Sequence, residues 1–150
     1  MKMYVRFAVM ILASTVLMYA LMYVDVLQWD HVFFSETRVY MALVMGGAMA
    51  MVMIAFMWHM YGNPRINAAI LAGGALVLAL ATWLARSQAT VDQVSYMRAM
   101  IPHHSIAILT SERADIRDPR VRKLADGIIA SQKREIGEMK ALVEELKRRP

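Results

Sequence analysis

The chain has 150 residues, 59% of them hydrophobic, and carries a formal charge of +5. A soluble domain is nearer half apolar, so part of this chain is expected to meet lipid. Cysteine is absent, which excludes disulfides, thiolate metal sites and cysteine nucleophiles.

Residues 7–24 form an uncharged run, long enough as a helix to come close to crossing a hydrocarbon core of roughly 30 Å. Lys2 and Arg6 flank its start. That pattern also suits a signal peptide, but no small-x-small cleavage site follows, so an uncleaved first transmembrane helix is expected. Residues 25–38 are polar and acidic, with Asp25, Asp30, Glu36 and Arg38. Trp29, Phe33 and Phe34 fit an interfacial turn there. His31 sits in this loop alone and reads as a solvated side chain.

The second span covers residues 39–61 and the third residues 66–85, joined by the tight turn Gly62-Asn63-Pro64-Arg65. Gly46 and Gly47 in the second span, and Gly73, Gly74 and several alanines in the third, allow close backbone approach in lipid. Methionine is the compositional outlier, with 15 copies. Met41, Met45, Met49, Met53 and Met57 recur every four residues and make one slowly drifting stripe, ending near His59. That stripe is either a soft packing seam or a thioether track for a soft metal.

Lys2, Arg6 and Arg65 fall on one side of the membrane, and the acidic first loop falls on the other. Positive residues favour the cytoplasm. The expectation is an integral protein of a bacterial inner membrane, with a cytoplasmic N-terminus and a periplasmic domain over residues 90–150.

In that domain Thr90-Val91-Asp92-Gln93 reads as a capping box with Thr90 as N-cap. A helix is predicted over 91–115. A second follows from Pro119 to about 148, with Asp118 as its cap. Val121, Leu124, Ile128, Gln132, Ile136, Met139, Val143 and Leu146 form one packing stripe on it. No repeat, low-complexity tract or nucleotide-binding glycine loop occurs, and nothing points to nucleic acid. The predicted fold is therefore all-α: a transmembrane region over 1–89, then a soluble antiparallel helical hairpin over 90–150.

The chemistry concentrates in Tyr96-Met97-Arg98-Ala99-Met100-Ile101-Pro102-His103-His104. Met97, Met100 and His104 are three and four residues apart and share a helix face. His103 is rotated by about 100° from His104 but stands one turn from Met100. Pro102 either kinks a continuous helix or starts a new one with Ile101 extended before it. One helix supplies only part of a site. Gln132, Glu135 and Met139 on the second helix are candidates to face it. Thioethers favour Cu(I) and imidazole suits several transition metals, so a mixed Met/His set without thiolates points to copper. Carboxylate-bridged di-iron chemistry wants Glu-x-x-His pairs, and none occurs. No acid/base or redox constellation for catalysis is present, so an enzyme is not expected.

Asp92-x-x-x-Tyr96-Met97-x-x-Met100-Ile101-Pro102-His103-His104-x-x-Ala107, with Ala130-x-Gln132-x-x-Glu135-Ile136-x-x-Met139 downstream, resembles the family called domain of unknown function 305. The resemblance covers less than half of the chain. It implies a ferritin-like arrangement of long antiparallel helices. For some members it also implies periplasmic copper binding through methionine and histidine, tied to copper tolerance. Carried over by position, it implicates Met97, Met100, His103, His104 and Met139, with Glu135 and Gln132 as secondary candidates. The chain departs from soluble members in having three spans and only one soluble hairpin. Two helices bury little surface alone, so a homo-oligomer completing a four-helix bundle is expected. The resulting expectation is a membrane-anchored copper buffer, delivery or tolerance protein, with lipid and a copper donor or acceptor protein as partners and no organic cofactor. The alternative is an oligomeric membrane scaffold without a metal role, to which the basic tail Lys147-Arg148-Arg149 lends support.

Overall fold

The computed structural model describes residues 2–148, so Arg149 of the basic tail lies outside the described residues. Five α-helices carry the chain: α1 (Lys2–Leu21), α2 (Glu36–Phe56), α3 (Pro64–Ser87), α4 (Gln93–Arg113) and α5 (Pro119–Arg148). Single 3-10 turns occur at Trp29–His31 and Trp58–Met60, and there is no strand among the described residues. Helices α1, α2 and α3 are each long and apolar enough to cross a membrane. The chain divides into two compact units, residues 1–22 with 37–90 and residues 23–36 with 91–150.

In the first unit, Phe7, Ile54 and Tyr61 form a buried cluster on which Met53 and Met57 pack. The last two members of the methionine stripe are thus core residues here, whereas Met41 faces outward. Tyr61 stacks at a tilt on Tyr4 and edge-on to Phe7, with ring centroids 5.1 and 5.6 Å apart. Asn63 caps α3, its side chain accepting from the Arg65 and Ile66 amides, and Pro64 supplies the first helical turn. Asn67 is wholly buried. Its Nδ2 donates to the carbonyls of Trp58 and Tyr61, and its Oδ1 accepts from the Tyr4 hydroxyl. This one amide therefore joins the start of α1, the turn after α2 and the first turn of α3.

Helices α2 and α3 touch at backbone level where Gly47 meets Gly74. A Cβ on Gly47 would stand 2.9 Å from the Gly74 carbonyl oxygen. Backbone cannot yield as a side-chain tip can, so Gly47→Ile is expected to weaken this helix pair by about 1–3 kcal/mol. Unfolding of the full chain in mixed micelles by added SDS measures this, and an unchanged midpoint would remove the close-contact argument.

In the second unit, Asp92, not Thr90, caps α4: its carboxylate accepts from the Ser95 amide at 2.7 Å. The Thr90 hydroxyl pairs instead with that of Tyr40, at 2.6 Å within the first unit. A carboxylate at this position satisfies an orphan amide and meets the positive end of the helix dipole, which is why it displaces the weaker threonine cap. Pro102 lies inside a continuous α4. Its ring removes one backbone donor from that turn without ending the helix.

Ile101 and Ile108 of α4 meet Ile136 of α5 in a buried cluster, with Ile129 and Met139 against it. Leu27 and Phe33 join the same cluster. The first loop is therefore part of the second unit, where the sequence suggested a turn at the headgroups. Trp29 and Phe34 remain outward. His31, expected to be solvated, is buried at 6% exposure. The expected single stripe on α5 also divides: Ile136 and Val143 are buried, whereas Val121, Leu124 and Ile128 are exposed, and Ala125, outside the expected stripe, is buried instead.

Candidate metal centre

The predicted ligands separate according to helix geometry. His104 and His103 are adjacent on α4, so their side chains diverge. Their ring centroids stand 6.3 Å apart at 71°. His104 points inward and is 9% exposed, while His103 points out to solvent. Met97 is buried, and Met100 and Met139 are half-buried.

His104 is held at both ring nitrogens. Nδ1 lies 2.9 Å from the Met100 carbonyl oxygen. A carbonyl can only accept, so Nδ1 carries the hydrogen and donates. Nε2 lies 2.8 Å from Glu135 Oε2 on α5. That contact needs a proton between nitrogen and oxygen. Glu135 Oε1 accepts from the Ser131 hydroxyl one turn earlier, at 2.5 Å. The Ser131 hydroxyl, and after it the His104 ring, hold the Glu135 carboxyl below the usual glutamate range, against a smaller opposing effect of desolvation.

A histidine whose Nδ1 is tied to a backbone carbonyl is fixed in ring orientation, with Nε2 presented outward. That is the outer-shell arrangement seen around metal-bound imidazoles. A cation at Nε2 would take the place of the shared proton, with the Glu135 oxygen already beside it. Met100 contributes its carbonyl to this arrangement, which the sequence reading had not anticipated. Ser131 was also missed, although its spacing of four from Glu135 puts both on one helix face. Among the described residues no group of three or more His, Asp or Glu side chains converges on one point. The structure thus brings together His104 and Glu135 and leaves His103 apart.

A second polar cluster lies nearby on α4. Ser105 Oγ accepts from the Leu27 amide at 2.9 Å and stands 3.0 Å from His31 Nδ1. His31 Nε2 is 3.8 Å from Asp30 Oδ1, and Asp30 receives the Lys140 ammonium at 2.6 Å. Burial, then the Lys140 charge, push the His31 ring below the ordinary histidine range, with Asp30 opposing them. The order Ser–His–Asp invites comparison with a hydrolytic triad. Ser105 has no exposed surface, so no substrate reaches its hydroxyl, and the cluster is a clamp that fixes the first loop to α4.

Residues 92–150 match the family described as Domain of unknown function (DUF305). Uncharacterized protein L153 of Acanthamoeba polyphaga mimivirus is 36% identical over 110 residues, covering 72% of this chain and 70% of that protein. The chain belongs to the DUF305 family. The likeness to the viral protein is longer than the DUF305 segment, so it extends into the helices that precede it. No solved structure matches the chain. Within this DUF305 protein the His104–Glu135 pair and the Ser105 clamp both fall inside or against the matched segment.

Proposed function

We propose that this protein is a membrane-anchored copper-binding protein whose site is built on α4 and α5 and faces the periplasm, serving copper buffering, delivery or tolerance. The observation that carries the reading is the His104 ring, oriented through Nδ1 by a backbone carbonyl and presenting Nε2 beside the Glu135 carboxylate. The donor set fits the metal: an imidazole and a carboxylate lie together, the thioethers of Met97, Met100 and Met139 are available on the same two helices, and no thiolate competes. The topology fits as well. The Tyr4 hydroxyl bonds Asn63, so the N-terminus and the 62–65 turn share one end of the first unit. The first loop and residues 91–150 share the second unit. With three crossings, the positive-inside rule then assigns the N-terminus to the cytoplasm and the second unit to the periplasm. A soluble copper donor or acceptor would meet it there.

Equilibrium titration of the full chain in detergent with Cu(I) and Cu(II) tests the reading. His104→Ala is expected to weaken binding by well over tenfold, and Glu135→Gln by about 10–100-fold. Equal affinity in the parent chain, His104→Ala and His103→Ala would overturn the assignment.

A further inference from the structure

The half-site at His104 and Glu135 stands in the middle of an unpartnered apolar stripe. Leu124, Ile128, Glu135 and Leu142 follow one another at spacings of four, seven and seven on α5 and so share a face. Leu124 is 65% exposed, Leu142 48% and Ile128 37%. Three large aliphatic side chains turned outward beside a histidine–carboxylate pair are not explained by the packing of one chain. The other side of the α4–α5 pair is already covered by Leu27 and Phe33.

The two ends of the stripe are symmetric about position 133, while Ile128 between them mirrors onto Glu138 and has no apolar counterpart. Leu124 and Leu142 lie nine residues either side of position 133, and Ser131 and Glu135 lie two residues either side of it. Two α5 helices packed antiparallel about that point would set Leu124 of each chain on Leu142 of the other. They would also set each Glu135 opposite the other chain's Ser131, beside the symmetry axis. The charges agree with this register: Arg120, one turn before Leu124, falls next to Glu145 of the second copy. Such self-complementarity is what a two-fold interface requires, and no different partner is needed to explain it.

We propose that a second copy of this chain covers the stripe and that the two His104–Glu135 pairs meet at the axis as one shared site of two imidazoles and two carboxylates for a divalent transition-metal ion. The inference rests on the metal-binding reading above and specifies it. One chain offers two such donors, below the number a metal site needs, and two-fold symmetry doubles them to four. Imidazole and carboxylate without thiolate suit a borderline ion such as Cu(II) or Zn(II) rather than Cu(I). The thioethers of Met100 and Met139 then border the site instead of forming it.

The absence of cysteine makes the test clean. Full-length Leu124→Cys and Leu142→Cys chains carrying different tags are co-expressed and oxidised in membranes. Cα atoms must come within about 7 Å for a disulfide, so the antiparallel register is expected to give the mixed dimer and little of either homodimer. The parent chain titrated with Cu(II) is expected to bind one ion per two chains with two equivalent nitrogens in its EPR spectrum. Glu135→Gln is expected to keep the mixed cross-link while losing at least tenfold in Cu(II) affinity. One ion per chain on a monomer, lost in His104→Ala, would overturn the shared site and leave the metal-binding reading intact. A mixed cross-link in protein that binds none of Cu(I), Cu(II) and Zn(II) would overturn both. Absence of the mixed cross-link, or an equal yield of Leu124→Cys homodimer, would overturn the pairing.

Discussion

Ser105→Ala is expected to destabilise the second unit by about 2–4 kcal/mol, because the hydroxyl serves the half-buried Leu27 amide and the buried His31 ring at once. Its removal leaves the Leu27 amide without an acceptor and His31 Nδ1 without a partner. Each buried polar group left unpaired costs about 1–3 kcal/mol, and the small volume change adds little. The loss should appear first in the loop. Amide exchange at residues 27–32 is expected to rise by more than tenfold, with little change within α1, and equal protection in variant and parent would refute the clamp.

The same cluster gives the unit a dependence on pH. His31 is held in its neutral form, so its pKa in the folded chain lies below the unfolded value of about 6.5. The unfolded state then binds more protons in the interval between the two values, and stability rises with pH there. The contribution is complete above about pH 6.5 and is lost as pH falls through that value toward the folded pKa. Asp30 shifts the other way. The Lys140 ammonium holds its carboxyl below the ordinary aspartate range, so its contribution is lost only in more acid solution, below about pH 3.9. The difference between the parent chain and His31→Gln, followed by denaturation between pH 7 and 5, is expected to show the His31 effect clear of Asp30. His31→Gln should make the slope in that interval smaller, and an unchanged slope would place its origin elsewhere.

The second large effect is expected at Asn67. Replacing it with leucine keeps a similar volume but strands the Trp58 and Tyr61 carbonyls, which depend on this amide, while the Tyr4 hydroxyl keeps its bonds to Asn63. A loss of about 2–4 kcal/mol is expected for the first unit, read as a lower SDS midpoint for the full chain. Tyr4→Phe removes one of the amide's three bonds, together with the exposed contacts of the hydroxyl to Asn63, and should cost about 1 kcal/mol. If Asn67→Leu proved no worse than Tyr4→Phe, the hub would be an incidental contact.

These sites differ in how far they could be foreseen. Pro119 opens α5 as expected, its fixed φ and missing amide suiting the first helical turn, whereas Pro64, expected in the turn before residue 66, opens α3 for the same reason. The Glu135 and His104 positions were both visible as members of helix faces. Their contact was not, because spacing within a helix orders side chains around its own axis and says nothing of the neighbour's rotation. Thr90 and Asp92 show the same limit over a shorter distance. Both are good caps by composition; Asp92 takes the Ser95 amide, and the Thr90 hydroxyl pairs with that of Tyr40, fifty residues away in the chain. His31 and Asn67 gave no local signal: a lone polar side chain has no periodicity, and its burial depends on partners 74 and 63 residues distant.

By itself the sequence determined the number of helices, the three apolar segments and the residue types available as ligands, since these follow from hydropathy, breakers and composition summed over short windows. The tertiary structure decided that the first loop belongs with α4 and α5, that one histidine of the adjacent pair turns inward to a carboxylate while the other turns out, and that half of the α5 stripe is left open. Each of these depends on which surfaces meet, and side-chain hydrogen bonds between distant residues are made only once the helices have packed.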